Sequence, residues 1–122
     1  MSKFLKFEEI KAWQIARELV NKIYQLGVAG KFGNDFGFRD QIQRAAVSIM
    51  ANIAEGFERG TDKEFKQFLF IAKGSCGEVR SLLYIGSDLS YIDKSTFNNL
   101  VDLATEISRL IAGFIKYLEA AH

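Results

Sequence analysis

The sequence has no proline, one cysteine and one histidine in 122 residues. Proline breaks helix interiors, so its absence favours long helices joined by short loops. A single cysteine, Cys76, excludes an internal disulfide and any cysteine-built metal cluster. The single histidine, His122, is the last residue, which removes most metal and acid–base chemistry. Long apolar runs are also missing. Nothing approaches the ~20 apolar residues of a membrane span, so no membrane partner is expected. The opening "MSKFLKFEEIKAW" reaches acids before any apolar run, unlike a secretory signal, and a cytoplasmic location follows as the expectation. Charge of one sign is lacking too. The net charge is +1, so binding to nucleic acid would need a local patch.

What is present is helical periodicity. With 48% hydrophobic and 25% charged residues, the chain fits one domain over residues 1–122. From about Phe7 to Leu26, Ile10, Trp13, Ala16, Leu19, Val20, Ile23 and Tyr24 recur at three- and four-residue steps, and Gly27 is a natural stop. The segment "GVAGKFGNDFGF" follows, with four glycines that predict an irregular connection. Asn34 or Asp35 is placed to cap a second helix, from about Phe38 to Arg59, which Gly60 ends. Thr61 and Glu64 predict a capping box, each side chain accepting the other's backbone N–H. An apolar stripe from Phe65 to Leu89 marks the third helix. Asp93 or Ser95 caps a fourth, lined from Phe97 to Leu118. No strand-period alternation competes. The expected fold is all-α, an antiparallel up-down four-helix bundle.

Several chemistries fail on their residues. Carboxylate di-iron bundles need Glu-x-x-His pairs, and the sequence has none. "AGKFG" resembles part of a phosphate loop, but Gln25 stands where the first glycine belongs and Phe32 follows Lys31 in place of Ser or Thr. Cys76 lies on the apolar stripe without a histidine base, so it reads as a small buried hydrophobe. No cofactor, metal or catalytic residue is expected. Gly74, Gly77 and Gly86 each cost the third helix roughly 1 kcal/mol, which close approach of another helix would offset.

Two patterns remain. In "QIQRAAVSIMANIAEGFERG", residues 41–60, Gln41, Arg44, Ser48, Asn52, Glu55 and Arg59 fall in one narrow sector beside small residues. A solvent face, a polar network at a packing surface and a ligand site all fit. The network is preferred: Arg44, Ser48, Asn52 and Glu55 form it, with Arg44 and Glu55 as its buried pair, and Arg59 meets an outside partner. On the third helix Lys63, Lys66, Lys73 and Arg80 share a side with Phe70 and Tyr84. Basic groups with exposed aromatics can track a phosphate backbone and stack bases. They also suit protein contacts, or a plain solvated face, and Asp62, Glu64, Glu78 and Asp88 dilute the charge.

The stretch 41–60, followed by "EFKQFLFIAKGSCGEVRSLLYI" and preceded by "IKAWQIARELVNKIYQL", resembles the bacterial four-helix-bundle proteins encoded within 23S rRNA intervening sequences. Arg44-Ala45-Ala46, Ser48-Ile49, Asn52 to Gly56 and Gly74-Ser75 carry the resemblance, which covers about residues 7 to 92 well and the fourth helix loosely. It implies a homopentamer, no enzymatic activity and kinship with accessory variability proteins of diversity-generating retroelements, which bind nucleic acid through basic surfaces. The expected function is then a non-enzymatic oligomer associated with RNA or a nucleoprotein. The alternative is a protein-interaction scaffold without nucleic acid.

Overall fold

A computed structural model describes residues 4–121; His122 lies outside them. A 3-10 turn at Phe7–Glu9 leads into helices α1 (Lys11–Leu26), α2 (Gly30–Asn34), α3 (Phe36–Glu58), α4 (Asp62–Asp88) and α5 (Lys94–Ala120). Among the described residues there is no strand. The four long helices pack in a ring, α1 on α3, α3 on α4, α4 on α5 and α5 back on α1. Short links reverse the chain at each step, so neighbouring helices run antiparallel. A cross-helix bond from Lys22 Nζ to Asn99 Oδ1, 3.1 Å, fits that direction: it joins the last turns of α1 to the first of α5.

The core is the convergence of four apolar stripes. Leu19, Ile23, Ile49, Ile53, Leu69, Leu83, Leu100 and Ile107 are all buried in it. Gly56 and Gly86 permit the closest helix approaches. A Cβ on Gly56 would stand 2.6 Å from Phe68 Cβ, and one on Gly86 3.1 Å from Phe38 Cζ. Gly74 and Gly77 are different: a Cβ on either would meet nothing within 4 Å, so no helix contact within this chain requires a glycine there.

The expected first helix is divided. Phe7–Glu9 is a 3-10 turn, and Ile10 is extended with φ −74° and ψ 120° before α1 begins at Lys11. The break lets Ile10 plug the core, 2% exposed, while Phe7 packs edge-on against Trp13 with ring centroids 5.2 Å apart. Tyr24 and Leu89, expected on apolar faces, are about half exposed; Tyr24 lies ~100° around α1 from the fully buried Ile23 and so turns off the core face.

The glycine-rich connection is also more regular than its composition predicts. It holds α2, whose Phe32 is 2% exposed and packs edge-on against Phe38 at 5.0 Å. Burial of one ring supplies the order that glycine alone would withhold. Asp35 caps α3, accepting the Phe38 N–H at 3.1 Å, and α3 starts two residues before the expected Phe38. Asp35 Oδ2 also accepts the Tyr91 hydroxyl at 2.7 Å. That bond ties the α2–α3 junction to the α4–α5 turn.

The remaining boundaries follow their caps. Gly60 turns the chain with φ +85°. Thr61 Oγ1 accepts the Glu64 N–H at 3.2 Å, half of the predicted box. The Glu64 carboxylate, however, accepts from the Thr61 hydroxyl at 2.9 Å and from Arg59 at 3.5 Å. Asp93, not Ser95, caps α5 through the Thr96 N–H at 2.8 Å. No helix among the described residues is long and apolar enough to cross a membrane.

Candidate nucleic-acid interface

Helix α4 is 27 residues long. Its core positions, Phe65, Leu69, Ala72, Cys76, Val79 and Leu83, repeat every three or four residues. The positions one step later carry the same repeat around to the side facing α5. These are Lys63, Lys66, Phe70, Lys73, Gly77, Arg80 and Tyr84. They extend about 30 Å along the helix at ~1.5 Å per residue. The structure thus places six sequence-nominated residues on one side of one rigid element.

Their surroundings support an outward role. Lys63 and Lys73 are exposed, and Lys66 and Arg80 are half-buried. Among the described residues none of the four lies within ion-pairing distance of a carboxylate, whereas Lys22, Arg39 and Arg59 each pair with one. Phe70 is 54% exposed and Tyr84 58%. Phe97 of α5 meets the Tyr84 ring edge-on, centroids 5.0 Å apart. Asp62, counted among the acids that dilute the patch, is buried.

Arg59 stands apart from these six. Its guanidinium bonds Glu55 at 3.0 Å and Glu64 at 3.5 Å and lies over the Phe68 ring at 4.9 Å. The hydrogen bond to Glu55, foremost, raises its pKa above the ordinary arginine value, with burial opposing and the charges of Glu55 and Glu64 adding to the rise. Its exposed surface is committed to clamping the α3–α4 turn.

The polar line of α3 splits. Asn52 Nδ2 donates to the Ser48 carbonyl at 2.8 Å and to Ser48 Oγ at 2.9 Å, and the Ser75 hydroxyl donates to Ser48 Oγ at 3.0 Å. This half-buried relay joins α3 to α4. Arg44 and Glu55, expected as a buried pair, are both exposed, and Glu55 pairs with Arg59 instead. Eleven residues separate the two along one straight helix, roughly 16 Å, so they cannot meet within the chain. Arg44 borders an open surface recess with Asp40, Gln41 and Glu78.

Ser75 is a member of this structural relay that the sequence did not nominate for it. Periodicity places residues around one helix but does not say which residue of the next helix they face.

Cys76 is buried, and burial pushes its thiol up to about 12, against the opposing fields of Arg80 and Lys73. It is a core residue and no nucleophile at neutral pH. Among the described residues no cluster of three or more His, Cys, Asp or Glu side chains could hold a metal ion.

No curated protein matches the chain. A crystal structure from Bacteroides thetaiotaomicron VPI-5482, described as a protein with unknown function from the S23 ribosomal protein family, has the same fold. The TM-score is 0.80 at 25% sequence identity, over 86% of this chain and 95% of that one. Neither that description nor the family's names a reaction. Residues 8–113 match the profile described as 23S rRNA-intervening sequence protein, which takes in the 3-10 turn's last residues, α1 to α4 and most of α5. With the bundle, its caps and its α3–α4 relay in place over that span, the chain belongs to the 23S rRNA-intervening sequence protein family.

Proposed function

We propose that this bundle is a cytoplasmic, non-enzymatic accessory protein that associates with RNA, free or in a nucleoprotein, through the α5-facing side of α4. The observation that carries the reading is the row Lys63, Lys66, Lys73 and Arg80, unpaired with acids among the described residues and interleaved with two exposed rings. Phosphate contacts supply affinity without sequence information, and rings stack any base. The proposal carries with it the kinship to retroelement accessory proteins that the family resemblance implies.

Fluorescence anisotropy with structured RNA tests it. Affinity falls as salt rises, with a logarithmic slope of about −3 if all four cations meet single-strand phosphates. Lys66→Glu with Lys73→Glu weakens binding at least tenfold while helical circular dichroism is retained. Absence of binding at low salt overturns the reading. The near-neutral net charge of +1 then favours a scaffold that docks protein alone.

The reading includes assembly as a homopentamer. On α4 the Ser48–Ser75 bond adjoins Gly74, which faces open space. Ala51 and Ile71, the latter 53% exposed, continue that face. A second copy packing there would offset the helix cost of Gly74.

A further inference from the structure

A recess of about 500 Å³ opens between α4 and α5, lined by Gly77, Arg80, Ser81, Tyr84, Val101 and Thr105. Arg80 and Tyr84 belong to the sequence-nominated row, and the other four were not nominated as site residues. We propose that this recess seats one unpaired nucleotide of single-stranded RNA, its phosphate on Arg80 and its base against Tyr84. The inference rests on the RNA reading above and narrows it to a strand class and a position.

The chemistry of the walls points this way. Arg80 is the one charged group lining the recess, and its planar fork suits a phosphate. Ser81, Tyr84 and Thr105 add hydroxyls that can donate to or accept from a ribose 2′-hydroxyl or a base edge. Val101 gives the floor an apolar contact. Tyr84 is held edge-on by Phe97 at 5.0 Å, yet 58% of the residue remains exposed, so an oriented ring is available for stacking.

Gly77 shapes the recess from the α4 side. A glycine in a helix interior lowers helix stability, and Gly56 and Gly86 each sit hard against a phenylalanine that requires it. Gly77 has no such neighbour within 4 Å. Its missing side chain keeps the recess open. Asp102 and Glu106 follow Val101 and Thr105 on α5 and are exposed outside the lining. They confine an anion to the Arg80 end and repel a second phosphate strand. A duplex keeps all base faces but those of its two terminal pairs stacked inside the helix, and offers Tyr84 no unpaired base.

The test uses the full chain and two fluorescein-labelled probes, an oligouridylate and a blunt RNA duplex of equal length. The unmodified protein binds the single strand more tightly. Tyr84→Ala weakens single-strand binding about tenfold and leaves its salt slope unchanged, while Tyr84→Phe retains most of the affinity. Arg80→Ala lowers the salt slope by about one. Gly77→Leu fills the recess and improves helix propensity, so it weakens single-strand binding while raising the melting temperature. This last variant cannot lose binding by unfolding. If RNA binds but Tyr84→Ala and Gly77→Leu leave it unchanged, or reduce duplex and single strand equally, the nucleotide seat is overturned and the RNA reading stands. If neither RNA binds at low salt, both are overturned.

Discussion

Cys76 and the Asp35–Tyr91 pair are the residues whose ionisation matters most to the folded chain. An ordinary thiol titrates near 9, and burial raises that of Cys76 to about 12. The unfolded chain therefore ionises first as pH rises. The thiol's contribution to stability is complete below pH 9 and is lost as pH climbs towards 12. At pH 8 iodoacetamide should leave the native protein unmodified and alkylate it fully in urea, as mass spectrometry would show. Rapid labelling of the native chain would contradict the burial. For the pair, the Tyr91 hydroxyl first and the Phe38 N–H second hold the Asp35 carboxyl below its usual 3.8, with burial opposing. The same bond raises Tyr91 above its usual 10, with help from burial. Asp35 contributes stability above its ordinary value and loses it as pH falls through the depressed one. Tyr91 contributes below 10 and loses it above. The Tyr91→Phe variant should melt at a lower temperature than the parent at pH 7, and the gap should narrow below pH 4. Equal melting at pH 7 would show that the bond adds nothing.

At the scale of the element, the glycines sort by what surrounds them. Gly56→Ala drives a Cβ to 2.6 Å from Phe68 Cβ and 3.1 Å from Phe65 Cδ1, so α3 and α4 must part. Overpacking of this kind costs ~1–3 kcal/mol. Gly113→Ala places its Cβ in open space on α5 and should stabilise by about 1 kcal/mol through helix propensity. Urea unfolding of the two variants should move in opposite directions. Helix positions were legible because each buries one stripe: the end of α3 came within a residue of expectation, and Thr61 is a cap of α4 as read. α2 was hidden because its order comes from Phe32 meeting Phe38, a contact six residues away that glycine content masks. Arg44 and Glu55 were misplaced because a polar line gives its azimuth only coarsely. Ser48 and Asn52 turn towards α4, while Arg44 and Glu55, a short rotation further, reach solvent. Thr105 and Val101 joined the α4 row only once the pairing of α4 with α5 was known.

The whole molecule presents two different flanks of α4. One, towards α5, is basic and aromatic; the other, towards α3, shows Ile71 and Gly74 beside the polar recess of Asp40, Gln41, Arg44 and Glu78. Assembly through the second would leave the first free for RNA. Light scattering at micromolar concentration should report five chains, and Ile71→Glu, which puts a charge into that flank, should give monomers of unchanged helicity. A monomeric parent protein would refute the assembly. One further feature of the whole is optical. Trp13 is the only tryptophan of the chain, and its ring meets Phe7 of the 3-10 turn and, at 5.9 Å, Arg17. It packs against both the turn and the core. The indole is thus an intrinsic fluorophore for docking of that turn, while circular dichroism follows the helices, and the two signals can separate local release of residues 7–10 from collapse of the bundle.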